Sequence, residues 1–291
     1  MHYDLVGFQT QFDHMGFCMG IAQGLGGEIL KNDKLRVGNL HCTARVYPIS
    51  VETSALNGAA QGGMQTDEYR RLHSSLGDRS LIIGVDRLDY SKGLVQRFQA
   101  YDKLLGHYQE FMRNVVYLQI SPTSRGDVQA YGDLAKRIDR EAGHIIGTYA
   151  DFDWMPLRYL NRGFRRRTIL AMYNLARVGL VTPLKDGMNL VAKEYVAAQN
   201  PEDPGVLVLS ELAGAADELD AAVVINPYDV SAITGGLAKA LNMPLDERID
   251  RWRKMMDVLE AHDIHAWQSQ FLGDLKQVTG PKLVTSSSGV S

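Results

Sequence analysis

Two acidic residues and a glycine follow an apolar, strand-like stretch in the second half of the chain. Asp186 and Gly187 come after the run Val178–Thr182, and Glu194 lies seven positions beyond the glycine. We interpret Gly187 as the start of a helix, whose first N–H groups have no partner within the helix and favour a bound phosphate. Glu194 would return to the same face after about two turns, which places both carboxylates for sugar hydroxyls. The alternative is an ordinary helix cap followed by a solvated glutamate.

Positively charged residues follow two other strand-like stretches. Arg87 and Lys92 come directly after Ser80–Val85, and Arg125 follows Asn114–Ile120. The carboxyl ends of parallel strands lie at the same edge of a sheet, where ligands bind. Arg87 and Lys92 could therefore clamp a diphosphate against a helix N-terminus on the other side. Each cation taken alone could be a solvated loop residue, but three strand ends in one register favour an anion site.

Other ligand classes lack their usual motifs in this chain. No Gly-x-Gly-x-x-Gly follows a strand-like stretch, which disfavours a dinucleotide-dependent oxidoreductase, and no Walker-type phosphate loop occurs. His262 and His265 could share a metal ion, but a solvated or packed helix face is the preferred interpretation. The run Arg165–Arg167 is interpreted as a solvated helix start. With a formal net charge of -3, the chain offers no broad basic field, so nucleic acid is not expected as a partner.

The composition is that of a globular protein with a hydrophobic core of its own. Of the 291 residues, 45% are hydrophobic and 22% are charged, which suits one large or two modest domains. Cys18 and Cys42 are too few for a disulfide framework and are expected to be buried thiols in a reducing compartment. No apolar run approaches the roughly 18 residues of a membrane span, and the first residues lack a signal-peptide pattern. We therefore expect a cytoplasmic protein without a membrane partner.

Strand-like and helix-like stretches alternate regularly from about residue 80 onwards. This alternation predicts the α/β class, with a doubly wound parallel sheet covered by helices on both faces. Ahead of it, Leu5–Thr10 and Ala44–Pro48 are predicted as strands with a helix between them, and 51–79 as a linker or hinge. Two helices are predicted near the end, over 245–261 and 264–278. The strand-like stretches of the alternating region are Ser80–Val85, Asn114–Ile120, Val178–Thr182, Gly205–Leu209 and Ala222–Asn226.

Four stretches of sequence carry a resemblance to one enzyme family, and it extends from Tyr3 to about Val278. On these stretches the chain resembles the trehalose-6-phosphate synthase family of retaining glucosyltransferases. The resemblance implies a GT-B fold, in which two Rossmann-like domains face each other across a cleft. The stretches are Gly84–Gly93 (GVDRLDYSKG), Ser121–Tyr131 (SPTSRGDVQAY), Gly179–Gln199 (GLVTPLKDGMNLVAKEYVAAQ) and Leu209–Ala216 (LSELAGAA).

The resemblance also implies a role for individual residues. Arg87 and Lys92 would hold the diphosphate of UDP-glucose, Arg125 the phosphate of glucose 6-phosphate, and the backbone near Phe164 the uracil. Arg87, Lys92 and Asp186 would be the catalytic group, with Asp186 on the transferred glucose, and Glu194 would bind the ribose. The backbone amides of Asn189, Leu190 and Val191 would contact the diphosphate. The whole run of donor-binding residues is Asp186, Gly187, Met188, Asn189, Leu190 and Val191.

The family has most of its N-terminal domain ahead of the position that corresponds to Tyr3. The resemblance therefore implies that 1–78 are the end of that domain with a linker, and that 79–262 are the nucleotide-sugar-binding domain. Residues 263–280 would be the helix that crosses back to the first domain, and 281–291 a disordered tail. On this basis the isolated chain is expected to bind UDP or UDP-glucose without forming product at a useful rate, and to be prone to self-association.

The expected function is transfer of glucose from UDP-glucose to glucose 6-phosphate with retention of configuration, giving α,α-trehalose 6-phosphate. Both are small-molecule substrates, and no cofactor or metal ion is expected to take part in the chemistry. A homo-oligomer stays open. Two alternatives also remain open: a glucosylglycerol-phosphate synthase, which uses glycerol 3-phosphate as acceptor, and a nucleotide-sugar-binding or regulatory subunit without catalysis.

Overall fold

The computed structural model describes residues 2–122 and 129–280. The predicted disordered tail, 281–291, lies outside the described residues. The strands are β1 (Leu5–Phe8), β2 (Glu28–Ile29), β3 (Lys34–Val37), β4 (Leu40–Val46), β5 (Ser80–Val85), β6 (Val115–Ile120), β7 (Leu157–Leu160), β8 (Val178–Val181), β9 (Val206–Ser210) and β10 (Val223–Ile225). The helices are α1 (Gln11–Gly24), α2 (Thr53–Gly63), α3 (Asp67–Leu76), α4 (Leu94–His107), α5 (Gln129–Tyr149), α6 (Arg166–Leu175), α7 (Leu190–Ala197), α8 (Val230–Leu241), α9 (Leu245–Ala261) and α10 (Ile264–Thr279).

The chain divides into two compact units. Unit 1 consists of Met1–Ile49 and Ile264–Ser291, and unit 2 of Ser50–Asp263. Among the described residues, no helix is long and apolar enough to cross a membrane.

Unit 1 contains a four-stranded sheet in the order β1-β4-β3-β2. β1 is parallel to β4, whereas β2, β3 and β4 form antiparallel pairs. The short β2 and β3 were not predicted, because neither shows a buried apolar run. Cys18 of α1 and Cys42 of β4 are buried and free, as predicted, and they pack in one core cluster with Leu35. Burial raises the pKa of both thiols.

The last helix, α10, packs within unit 1 through polar and aromatic contacts with Tyr47. The Tyr47 hydroxyl donates a hydrogen bond of 2.8 Å to Asp274, and the Trp267 indole donates one of 3.1 Å to the Tyr47 carbonyl. Phe271 packs edge-on against the Tyr47 ring. Asp274 also forms an ion pair of 2.7 Å with Arg45 of β4. These contacts bind the end of the described chain to its beginning.

Unit 2 contains a six-stranded sheet in the order β10-β9-β8-β5-β6-β7, and every neighbouring pair is parallel. The helices that cover it form two groups. In one group α4 contacts α5 and α8; in the other α2 contacts α6 and α7, and α7 also contacts α9. The predicted doubly wound α/β class is therefore confirmed. The chain runs outwards from β5 through β6 to β7, and then returns to β8 on the other side of β5. The switch point of this topology, where ligands bind in such sheets, is thus the carboxyl edge between β5 and β8.

The segment 51–79, predicted as a linker or hinge, contains the two helices α2 and α3. Its small and polar residues give little sign of a helix, but Leu56 and Ala60 of α2 are buried, and α2 packs against α6 and α7. Tertiary packing therefore decides the structure of this segment, as it does for many helices of weak propensity. Both helices belong to unit 2, so the division between the units falls at residue 50 rather than at 79.

Candidate functional site

A cavity of about 440 Å³ opens at the switch point of the sheet in unit 2. It collects residues from the carboxyl ends of β5, β6 and β8 and from the beginning of α7. Most of the residues predicted for the donor site therefore lie around one space. The lining residues are Val85, Asp86, Arg87, Lys92, Pro122, Asp186, Met188, Asn189, Leu190, Val191 and Glu194.

Lys92 and Asp186 face each other in this cavity. Their charged groups are 2.5 Å apart, and their side chains are only 17% and 19% exposed. The side-chain amide of Asn189 donates a second hydrogen bond, of 3.1 Å, to the same carboxylate oxygen of Asp186. An anionic ligand can replace Asp186 as the ion-pair partner of Lys92. The carboxylate oxygens of Asp186 can then accept hydrogen bonds from hydroxyl groups. Arg87, by contrast, is exposed at the rim of the cavity.

The α7 helix begins at Leu190, three residues later than predicted. Asn189 caps it in a left-handed backbone conformation, with φ 74°, and its side chain accepts a hydrogen bond from the N–H of Ala192. The N–H groups of Leu190 and Val191 lie in the first turn, where no preceding turn supplies a carbonyl partner. The interpretation of Gly187 as the start of the helix is therefore wrong. Glu194 lies little more than one turn into α7, and it still reaches the cavity.

The segment from Asp186 to Met188 is held by backbone hydrogen bonds to the chain that follows β9. The N–H of Asp186 donates to the Leu212 carbonyl, the N–H of Gly214 donates to the Asp186 carbonyl, and the N–H of Ala215 donates to the Met188 carbonyl. These bonds are 2.8–3.1 Å long. The run Leu209–Ala216 thus fixes the position of Asp186 without lining the cavity itself.

The turn that carries Lys92 is docked on the chain that follows β8. Asp89 caps this short turn, and the N–H of Leu184 donates a hydrogen bond of 2.7 Å to the Ser91 carbonyl. Gly93, at the start of α4, has φ +67°, and a Cβ atom at this position would lie 2.4 Å from the Thr182 carbonyl oxygen. Only glycine fits this approach between the two strand ends.

Gly93→Ala should therefore lower the free energy of unfolding by more than the roughly 1–2 kcal/mol of a left-handed non-glycine residue, because the contact with Thr182 adds to it. Urea denaturation measures the loss. Gly187→Ala is the matched control, since its Cβ would meet no atom within 4 Å and its φ is not positive. The control should change stability by less than about 0.5 kcal/mol. Equal losses in the two variants would contradict this account of the turn.

Glu194 is held by a residue that the sequence did not assign to the site. A carboxylate oxygen of Glu194 is 2.7 Å from the guanidinium of Arg166, whose side chain is 67% exposed. α6 begins at Arg166, so the predicted helix start in the run Arg165–Arg167 is confirmed. The ion pair shows that one member of this run also orients a cavity residue.

Phe164 does not line this cavity. Phe164 is half-buried and lines a separate cavity of about 400 Å³, together with Arg71, Arg158 and Met172. The guanidinium of Arg162 lies 4.8 Å from the centre of its ring. Arg125, predicted to bind the acceptor phosphate, lies outside the described residues.

Asp86 and Arg97 are the main features that sequence reasoning missed. Asp86 lines the cavity, and Arg97 of α4 is fully buried beneath it. Burial raises the pKa of the Asp86 carboxyl, and the guanidinium of Arg97 opposes this rise. The available signal was a charged residue among the apolar positions of a helix, beside Val95 and Phe98.

Among the described residues, no three His, Cys, Asp or Glu side chains cluster so that they could hold a metal ion.

Comparison with known proteins identifies the family of the chain. The family model described as glycosyltransferase family 20 matches residues 1–277. A trehalose-6-phosphate synthase of Sodalis glossinidius is 49% identical over 276 residues, which are 95% of this chain and 58% of that protein.

Solved structures agree closely with the structure of this chain. A structure from E. coli bound with UDP-2-fluoro glucose matches with a TM-score of 0.92 and 45% identity, over 94% of this chain and 61% of that one. A trehalose-phosphate synthase of Burkholderia xenovorans in complex with glucose-6-phosphate matches with a TM-score of 0.92 and 43% identity, over 94% and 61%. The predicted GT-B type of α/β fold is thereby confirmed. The chain spans 58–61% of the length of these relatives.

Proposed function

The chain belongs to glycosyltransferase family 20, and from this premise we propose that it provides the donor site of a retaining glucosyltransferase. The proposed reaction transfers glucose from UDP-glucose to glucose 6-phosphate and yields α,α-trehalose 6-phosphate and UDP. One observation carries the proposal: Arg87, Lys92 and the N-terminus of α7 face a single cavity at the switch point of the sheet. The ligands of the E. coli and B. xenovorans relatives, a UDP-glucose analogue and glucose-6-phosphate, support both proposed substrates.

The donor is proposed to bind with its diphosphate between the two cations and α7. Lys92 would exchange its ion pair with Asp186 for one with a phosphate oxygen, and the N–H groups of Leu190 and Val191 would donate to the diphosphate. Asp186 would then be free to accept hydrogen bonds from the glucosyl hydroxyls. Both side chains already lie in the cavity, with their charged groups 2.5 Å apart.

The proposed chemistry needs strong stabilisation of the leaving group. The bond between the glucosyl C1 and the phosphate oxygen breaks, and a bond forms from C1 to the acceptor hydroxyl on the same face. The acceptor proton passes to an oxygen of the departing diphosphate. Negative charge develops on UDP during this step, and two cations with a helix N-terminus lower its free energy. No metal ion or other cofactor is proposed to take part.

The acceptor is proposed to bind through the phosphate at Arg125. This assignment comes from the resemblance of Ser121–Tyr131 to the family and would serve glycerol 3-phosphate as well. A glucosylglycerol-phosphate synthase therefore remains the nearest alternative, and a nucleotide-sugar-binding subunit without catalysis is the other. A cytoplasmic location and a homo-oligomer also remain proposals.

A turnover assay identifies the acceptor, and a binding assay with UDP-glucose tests the donor site. The chain is incubated with UDP-glucose and either glucose 6-phosphate or glycerol 3-phosphate, and the products are identified by mass spectrometry. Trehalose 6-phosphate supports the proposal, and glucosylglycerol phosphate supports the first alternative. Binding of UDP-glucose without either product, which is the result expected of the isolated chain, agrees with the proposed donor site and with the second alternative, whereas absence of UDP-glucose binding contradicts all three.

Glu194→Gln should weaken the binding of UDP and UDP-glucose equally, by roughly fivefold, because a neutral amide accepts a weaker hydrogen bond from ribose than a carboxylate does. The sharper measurement is the preference for UDP over 2′-deoxy-UDP in calorimetric titrations. This preference should fall in the variant if Glu194 binds the ribose.

Arg166→Gln is the matched control, since it removes the ion-pair partner and leaves the Glu194 carboxylate in place. The control should keep most of the preference for the ribose. An unchanged preference in Glu194→Gln would exclude Glu194 from the ribose site.

A further inference from the structure

A buried charged cluster lies beneath the floor of the donor cavity. The side chain of Arg97 is 0% exposed and that of Asp86 is 2% exposed, and their charged groups are 2.5 Å apart. The same guanidinium donates a hydrogen bond of 2.7 Å to the Thr182 hydroxyl. Asp86 belongs both to this cluster and to the lining of the cavity, so the cluster is in direct contact with the site.

The cluster joins the ends of the strands that form the switch point. Asp86 follows β5 and Thr182 follows β8, while Gln119 of the neighbouring β6 accepts a hydrogen bond of 3.4 Å from Arg97. Gln119 is itself held by Tyr117 and Ser121 through bonds of 2.5 and 3.0 Å. One side chain of α4 thus fixes the carboxyl edge of three adjacent strands.

The backbone leaves room for this arrangement. A Cβ atom on Gly84 would lie 2.3 Å from the side-chain oxygen of Gln119 and 3.1 Å from the guanidinium of Arg97. Gly84 is the residue of β5 that lies two positions before Asp86, so the network occupies space that a side chain of the sheet would otherwise fill.

The position of Asp86 creates an electrostatic problem for an anionic ligand. The carboxylate of Asp86 lies in the wall of the cavity, and Asp86 directly precedes Arg87 in the chain. Burial is the largest cause of the raised pKa of Asp86, while nearby Lys92 lowers this pKa and Asp186 raises it. A buried charge interacts strongly over several ångströms, because little water screens it. Without a partner, this carboxylate would repel a diphosphate and compete with it for Lys92.

We propose that Arg97 is a positioning residue for diphosphate binding, which neutralises Asp86 and holds it so that Arg87 and Lys92 remain available to the diphosphate of the donor. This inference rests on the proposed function, because it takes the diphosphate as the ligand of the cavity. Arg97 acts through Asp86 and is not itself a lining residue.

The pair is poorly explained by stability alone. Replacing a buried ion pair by apolar residues of similar volume often leaves a protein equally stable or more stable, whereas removing one partner is costly. Replacing Arg97 and replacing Asp86 should nevertheless change the affinity for an anionic ligand in opposite directions. This difference separates electrostatic positioning from a purely structural role.

The test compares Arg97→Gln, Asp86→Asn and the double variant in titrations with UDP and with uridine, which lacks the diphosphate. Arg97→Gln removes the guanidinium that opposes the burial-raised pKa of Asp86, so UDP binding should weaken about tenfold at a pH high enough to ionise this carboxyl, with uridine binding unchanged. Asp86→Asn leaves a positive charge beneath the cavity and should keep or increase the affinity for UDP. The double variant should recover most of the affinity that Arg97→Gln loses.

Arg248→Gln is the matched control for lost stability. Arg248 is another buried arginine of unit 2, paired with Asp203 at 2.6 Å, and neither residue lines the donor cavity. The control should lower the thermal midpoint while the affinity for UDP stays at the wild-type value.

Several results would overturn the inference. It fails if Arg97→Gln weakens UDP and uridine equally, or if Asp86→Asn weakens UDP as much as Arg97→Gln does. Asp86→Asn is nearly isosteric, so if Arg97→Gln does not fold, the comparison of Asp86→Asn with the wild type decides: weaker binding of UDP by Asp86→Asn overturns the inference. If the wild-type chain binds no UDP, the proposed function itself fails. If the wild-type chain binds UDP and all the variants bind it equally well, only the inference about Arg97 fails.

Discussion

Lys92→Ala should weaken UDP binding by about 1.5–3 kcal/mol, or roughly 10- to 150-fold in the dissociation constant. The variant loses a charge-assisted contact with the diphosphate, and it also leaves the carboxylate of Asp186 without its partner at 2.5 Å. Both effects act against an anionic ligand in the same cavity. Isothermal titration calorimetry with UDP measures the change directly.

Arg87→Ala should also weaken UDP binding, but less than Lys92→Ala does, because Arg87 lies exposed at the rim, where solvent screens its charge. Lys185→Ala is the matched control: it removes an equal charge from an exposed residue next to Asp186 that does not line the cavity. The control should bind UDP as the wild type does. Wild-type affinity in both the Lys92 and Arg87 variants would show that the diphosphate binds elsewhere.

Asp186→Ala should separate the sugar from the nucleotide. The affinity for UDP-glucose relative to UDP is expected to fall by roughly 10- to 150-fold, because the glucosyl hydroxyls lose a charged acceptor. The affinity for UDP alone should stay equal or rise, since Lys92 no longer has a competing carboxylate beside it. Parallel titrations with UDP and UDP-glucose give both numbers.

The conservative Asp186→Asn variant should show a smaller change of the same sign, because an amide oxygen still accepts a hydrogen bond. This order distinguishes hydroxyl binding from a role in folding. Equal losses for UDP and UDP-glucose in both variants would mean that Asp186 maintains the shape of the cavity and does not recognise the sugar.

The sequence predicted the central part of the fold and site because local patterns determine it. Continuous apolar runs mark β5 and β8, and parallel strands necessarily bring the residues after their carboxyl ends to one edge. The sequence alone therefore predicts that Arg87, Lys92, Asp186 and Glu194 lie around one site.

Other features depend on contacts between distant parts of the chain. The helical state of 51–79 comes from the packing of α2 on α6, and β7 contains Arg158 and Tyr159 where an apolar run would have indicated a strand. The true start of α7 depends on the side chain of Asn189 and on backbone bonds to the run after β9.

The cluster around Arg97 shows a third kind of limit. A charged residue in the apolar face of α4 is visible in the sequence, but its partners Asp86, Thr182 and Gln119 come from three different strand ends. Only the strand order β8-β5-β6 brings them together. Because many folds could accept a buried arginine, its link to the donor cavity required the structure.

The central claim is that a nucleoside diphosphate binds at the carboxyl edge between β5 and β8. A crystal structure of the chain with UDP tests it most directly. The account predicts the diphosphate between Arg87, Lys92 and the N–H groups of Leu190 and Val191, with the Lys92–Asp186 ion pair opened. A diphosphate bound in another cavity, such as the one lined by Arg71 and Arg158, would contradict the account.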